Sequence, residues 1–196
     1  LLNSKDQLNR MENQLQEAVA ILKSGGTILY PTDTIWGIGC DATNKAAVEK
    51  IFFIKKRSES KSLIVLLDRP ENLNKYIIDV PALAWDLIEL TEKPLTIIYP
   101  KAHGFAPNVF AEDGSIGIRI TKDDFCRKLI QRFGKAIVST SANISGEPSP
   151  AQFSDISTAI LKGVDYVVHS PSENKNAKPS AIIKLGMNGE IQILRK

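Results

Sequence analysis

Three short stretches carry side chains suited to handling anions. In YPTDTIWGIGCDA, residues 30–42, Thr32, Asp33 and Thr34 crowd the exit of an apolar run that ends at Pro31. Ligands of open α/β sheets sit beyond the carboxyl ends of strands, so these side chains point at a pocket. They equally suit a turn in which Asp33 and Thr34 cap backbone groups. Gly37 and Gly39 permit close backbone approach.

The second stretch is FFIKKRSESKSLIVLL, residues 52–67. Lys55, Lys56, Arg57 and Lys61 fall within seven positions there, opposed only by Glu59. Cations at a helix end complement the negative pole of its dipole. The cluster also stands directly before a buried-strand pattern, and the planar fork of Arg with the point charge of Lys suits phosphate. The third stretch is IVSTSANISGEP, residues 137–148, where an apolar start runs into Ser139, Thr140, Ser141, Asn143 and Ser145. Such groups can bind their own loop or cradle phosphate oxygens. Cations and uncharged donors brought together would stabilise charge during phosphoryl-type transfer.

Other motifs are excluded or weak. Neither GxxxxGK[ST] nor GxGxxG occurs, which removes the Walker and Rossmann readings. Cys40 and Cys126 are too few for a disulfide framework, and no metal-ligand spacing of Cys or His is present. His103 and His169 are isolated, and Trp36 and Trp85 read as core or pocket wall. Arg119 interrupts the apolar run SIGIRI, where a lone cation needs an anion.

The elements that would position these residues follow from periodicity. Met11, Leu15, Val19 and Leu22 recur at helical spacing before Gly25-Gly26, and Val48, Ile51, Phe52 and Lys55 mark a second helix. Further helices are expected over 81–90, 123–133 and 155–161. Strands are expected at 27–31, 63–67, 95–99, 115–120, 136–140 and 165–170. Residues 180–185 and 190–195, flanking Asn188-Gly189, read as a hairpin. Helices alternating with strands and then giving way to a hairpin predict an α/β protein with a mixed sheet in one domain over 1–196. Residues 170–180 read as a polar surface loop.

Composition agrees with a globular chain of 196 residues: 43% hydrophobic, 24% charged, net charge +3. The mild charge does not announce nucleic-acid binding, and Arg127, Lys128, Arg132 and Lys135 read as the solvated side of a helix. No apolar run approaches the roughly 20 residues of a membrane span, and LLNSKDQLNR lacks a signal-peptide core. A cytoplasmic address is the expectation, with no membrane partner.

The three stretches, in this order, resemble the YrdC-like family of threonylcarbamoyl-AMP synthases. YPTDTIWGIGCDA is similar to its strand-end signature, Lys55-x-Arg57 to its Lys-x-Arg and Ser141-x-Asn143 to its Ser-x-Asn. KPLT at 93–96 and Arg119 also fit, and the likeness runs from about Leu15 to Arg195. The chain departs from the family at Ser58 and Thr121, where Pro is frequent, and at Lys61, where a neutral amide is common. Ser180-Ala181-Ile182 stands for the family's STI, and the extra C-terminal domain of longer relatives is expected to be absent.

The resemblance implies a single-domain YrdC-like fold, a twisted mixed sheet with flanking helices and a concave basic face. It implies a nucleotidyltransferase forming threonylcarbamoyl-AMP and pyrophosphate from L-threonine, bicarbonate and ATP, with Mg2+ accompanying ATP. Lys55, Arg57, Ser141 and Asn143 would be catalytic, and Thr34, Arg119 and Ser139 would bind threonine. Lys61, Ser149, Ser180 and Arg195 would join Lys55, Arg57, Ser141 and Asn143 around the nucleotide. The product would serve tRNA threonylcarbamoyladenosine modification, with the proteins of threonylcarbamoyl transfer as partners. Contact with tRNA, and double-stranded RNA binding by a non-catalytic module, form the alternative expectation. A carbamoyl-phosphate-using relative is a third.

Overall fold

Leu15, Ala18, Val19 and Leu22 put one buried stripe on α1 (Ser4–Lys23), and Gly25, at φ 76°, turns the chain out of it. The computed structural model describes residues 4–58, 63–169, 178–186 and 188–196. Four further helices follow: α2 (Lys45–Lys55), α3 (Ala82–Leu90), α4 (Asp124–Phe133) and α5 (Thr158–Gly163). Asn44, Asp123 and Ser157 cap α2, α4 and α5 by accepting from the amides of Ala47, Cys126 and Ile160. Among the described residues no helix is long and apolar enough to cross a membrane.

The strands are β1 (Ile28–Tyr30), β2 (Gly37–Asp41), β3 (Ile64–Leu67), β4 (Leu95–Tyr99), β5 (Ile116–Ile120), β6 (Ile137–Ser141), β7 (Tyr166–Val167), β8 (Ala181–Leu185) and β9 (Ile191–Arg195). They form one sheet in the order β7-β1-β2-β6-β3-β5-β4-β8-β9. The pairs β1/β7, β3/β5 and β4/β8 are parallel, and the remaining neighbours are antiparallel. The mixed α/β sheet expected from the alternation is therefore present, and so is the terminal hairpin.

Three elements differ from the sequence pattern. β2 falls where a loop is expected, because Gly37 and Gly39 weaken strand propensity. The fold needs the glycine: a Cβ on Gly39 would come within 2.8 Å of Val138 O and of Tyr30 Cε1. The helix expected from 155 begins at Thr158, preceded by a 3-10 turn over Phe153–Asp155. α1 extends upstream of Met11 to Ser4. Most of the 170–180 loop lies outside the described residues.

Alternation along the strands divides the core between the two faces of the sheet. On one face Leu29, Ile38, Val65, Leu67, Ile97, Ile118 and Val138 pack beneath α2, with Val48, Ile51 and Phe52. On the other, Ile28, Tyr30, Leu66 and Ile137 pack beneath α1 and α4, with Leu15, Leu22, Leu129 and Phe133. This second face is covered only over its β1–β6–β3 part. Further along the sheet the residues on that side of β4, β5 and β8 are Thr96, Ile98, Gly117, Arg119 and Ile182, and they line an open hollow.

Candidate active site

The hollow has a volume of ≈ 310 Å³. Its floor is the uncovered sheet face. Gly117 belongs there because a Cβ would come within 3.3 Å of Thr96 Cγ2 and fill the space above the strands. Its walls are Thr32, Thr34 and Trp36 from the β1–β2 connection, Ser139, Thr140 and Ser141 from the last residues of β6, and Arg57 from beyond α2.

Arg57 reaches the hollow because α2 stops abruptly. Lys56 takes the left-handed conformation at φ 49°, and the Lys56 and Arg57 amides donate to Phe53 O and Phe52 O at 3.1 and 2.9 Å. The chain thereby leaves the helix axis before β3, and Arg57 lines the hollow together with Leu63 and Ser141.

Lys55, the last residue of α2, is placed differently from Arg57. The residue is 1% exposed and does not line the hollow. It donates to Asn143 O at 2.6 Å and to Ser141 O, while Ser145 N donates to Lys55 O at 2.8 Å. Lys55 thus pins the STSAN bend to the end of α2. Burial, and then the neighbouring Arg57 charge, push its pKa down to about 8. Asn143 likewise turns into its own bend: its Nδ2 donates to Ile144 O at 2.9 Å and Glu147 O at 2.7 Å. Ser141 and Ser139 do line the hollow.

Within the first loop, Thr32 Oγ1 donates to Ile35 O at 2.7 Å and accepts from the Thr34 amide at 3.1 Å. The two threonine hydroxyls lie 2.9 Å apart, and both side chains line the hollow. Arg119 meets the anion its strand position requires: Nη2 is 3.3 Å from Asp33 Oδ1. At the far end, Ser180 Oγ lies 2.8 Å from Thr96 Oγ1, and Arg195 Nε donates to Ser180 O at 2.7 Å. Burial, followed by the charge of Arg119, lowers the Arg195 pKa, and burial lowers that of Arg57. Three guanidinium groups therefore share one partly dry hollow, which attracts anions.

Of the residues expected at the site, Arg57, Ser141, Thr34, Arg119, Ser139, Ser149, Ser180 and Arg195 line this one hollow. Lys55 and Asn143 stand behind it, and Lys61 lies outside the described residues. Sequence reasoning did not single out Ser115, Gly117, Ile98 or Ile182, which also line the hollow. The two-residue alternation of β4 and β5 carries that information, but only once the covered face is known. A larger hollow of ≈ 650 Å³ lies across β4 and β5 on the opposite face, beside α3. Trp85, Ile88, Leu95, Tyr99 and Ile118 line it together with charged residues such as Asp68, Arg69, Glu89 and Lys93, and none of the expected site residues does.

Comparison with known proteins shows what the chain as a whole is similar to. The Sua5_yciO_yrdC family model, described as "Telomere recombination", matches residues 20–196. A protein named threonylcarbamoyl-AMP synthase from Pseudoalteromonas translucida (strain TAC 125) is 32% identical over 183 residues, covering 92% of this chain and 97% of that protein. One of the same name from Xanthomonas oryzae pv. oryzae (strain PXO99A) is 33% identical over 181 residues, covering 87% and 96%. Among solved structures, P. abyssi Sua5 complexed with L-threonine superposes with a TM-score of 0.85 at 25% identity. That match covers 92% of this chain, which spans only 53% of the Sua5 chain. E. coli YciO gives a TM-score of 0.81 at 24% identity over 94% of this chain and 89% of its own, and supports the fold.

Proposed function

The chain belongs to the Sua5/YciO/YrdC family, and on that premise we propose that it is a threonylcarbamoyl-AMP synthase. The observation that carries this reading is the meeting of Thr34, Arg57, Arg119, Ser141 and Arg195, from five separated segments, around one hollow. The relatives bearing that name match nearly their full length.

The reaction joins L-threonine, bicarbonate and ATP into threonylcarbamoyl-AMP, pyrophosphate and water. Threonine's amine takes up bicarbonate with loss of water, and a carbamate oxygen then attacks the α-phosphorus as pyrophosphate leaves. Such a sequence needs no nucleophile from the protein. Positioning the two reactants and stabilising the charge on phosphate provide the acceleration.

Arg119 and Thr34 would hold the amino acid, with Ser139 beside them. Arg57 and Ser141 would face the phosphates, and Ser149, Ser180 and Arg195 the remainder of the nucleotide. Lys55 and Asn143 would act through the bend they brace. The hydroxyl and guanidinium donors of the lining suit phosphate oxygens rather than a metal ion, so Mg2+ would arrive on the triphosphate. Delivery of the product to a tRNA-modifying transfer machinery in the cytoplasm is part of the same proposal.

Pyrophosphate release from ATP tests this reading. Release should require both threonine and bicarbonate, and should fall by about a hundredfold or more in Arg57→Ala. Purified protein that binds RNA but releases no pyrophosphate under these conditions would defeat the proposal. Release supported by carbamoyl phosphate in place of threonine and bicarbonate would assign the third expectation instead.

A further inference from the structure

Asp33 stands between the two threonines of the first loop, yet its carboxylate is engaged elsewhere. Oδ2 accepts from the Lys122 amide at 3.2 Å and from Thr121 Oγ1 at 3.4 Å, and Oδ1 lies 3.3 Å from Arg119 Nη2. Lys122 and Thr121 form the corner that follows β5. Asp33 follows β1, and β2, β6 and β3 lie between β1 and β5 in the sheet. The loop therefore arches across the sheet face, and the Asp33 carboxylate joins its crest to the far wall of the hollow.

The corner that receives it is itself braced. Thr121 N donates to Leu67 O at 3.0 Å, and Asp123 N donates to Thr121 Oγ1 at 3.3 Å. Asp123 in turn caps α4. On the other side of the loop, Cys126 Sγ lies 3.5 Å from Pro31 O.

The ion pair is incomplete as a hydrogen-bonded unit. The Asp33 and Arg119 side chains are 10% and 5% exposed, and neither Asp33 Oδ1 nor Arg119 Nε has a hydrogen-bond partner among the described residues. A guanidinium offers five N–H donors in a rigid fork. Charge alone binds it to Asp33 here, so Arg119 retains donor capacity for a second carboxylate.

We propose that Asp33 is a positioning residue: it clamps the Thr32–Thr34 arch to the end of β5 and holds the Arg119 guanidinium where the amino-acid substrate's carboxylate arrives. The inference deepens the functional reading above and rests on it for the identity of the ligand. Its sign is not trivial. An anion that merely competed with substrate for Arg119 would weaken binding, and removing it would tighten threonine. A clamp does the reverse, because its loss lets the arch and the guanidinium move apart.

Asp33→Asn keeps the shape and removes the charge, and Thr121→Val removes the hydroxyl contact while leaving the charge. Calorimetry with threonine and with ATP, and the 15N-detected Nε–H resonance of Arg119 in unliganded protein, separate the outcomes. In Asp33→Asn, threonine should bind about tenfold or more weakly while ATP binds as before, and threonine KM should rise with kcat retained. Thr121→Val should shift threonine affinity in the same direction by a smaller factor. The Arg119 Nε–H, shielded in the wild type by burial rather than by a hydrogen bond, should exchange faster with water in Asp33→Asn, where the guanidinium is freed to move toward solvent. Threonine affinity unchanged or increased in Asp33→Asn overturns the clamp. Wild-type protein that binds no threonine overturns the functional reading instead, and the Arg119 resonance then decides the clamp alone: exchange unchanged in Asp33→Asn refutes it.

Discussion

Lys55 illustrates how a residue can be legible as important while its job is not. Its place in Lys-x-Arg suggests a phosphate contact, but its ammonium is spent on the carbonyls of Ser141 and Asn143. Nothing in a linear sequence distinguishes a cation that meets a ligand from one that meets backbone 86 residues away. The buried ammonium has a signature in pH. Its folded pKa, about 8, lies below the ordinary lysine value of 10.5. Between those values the unfolded chain binds more protons than the folded one, so this group's contribution to stability rises as pH increases from about 8. Urea unfolding should therefore show the stability of wild type relative to Lys55→Met increasing from pH 7 to pH 10. A difference that stays constant across that range would place the titration elsewhere. At the other end of the hollow, the buried Thr96–Ser180 hydroxyl pair predicts a second residue-scale effect. Thr96→Val leaves Ser180 Oγ with one partner fewer and should cost about 1–3 kcal/mol in chemical denaturation.

The elements were read from the sequence where periodicity was strong. The helices over Val48–Lys55 and Asp123–Phe133 and the apolar runs of β3, β4 and β5 stand close to their expected positions. β2 was hidden because its glycines serve packing rather than propensity. Gly39→Ala should therefore destabilise the protein by about 1–3 kcal/mol through contact with Tyr30 and Val138. At Lys56 the opposite holds. The residue is exposed, adopts φ 49° and ends α2, so Lys56→Gly removes left-handed strain at the turn that aims Arg57. A gain of up to about 1 kcal/mol is expected after the added chain entropy of glycine, with pyrophosphate release retained. Loss of stability in that variant would show that the Lys56 side chain, rather than its backbone, secures the turn.

At the scale of the molecule, the α/β class and the mixed sheet were legible from the order of elements, whereas the hollow was not. It arises because α1 and α4 cover one part of a sheet face and leave the part over β5, β4 and β8 open, a consequence of strand order rather than of any local pattern. The same order brings Arg195, near the end of the chain, beside Thr34 and Arg57 around a single space. A crystal structure of the protein with threonine and a non-hydrolysable ATP analogue measures that arrangement directly. The account predicts both molecules in this hollow, the threonine carboxylate on Arg119 and the phosphates between Arg57 and Ser141. Nucleotide bound instead in the larger hollow beside α3, or threonine bound away from Arg119, would contradict it.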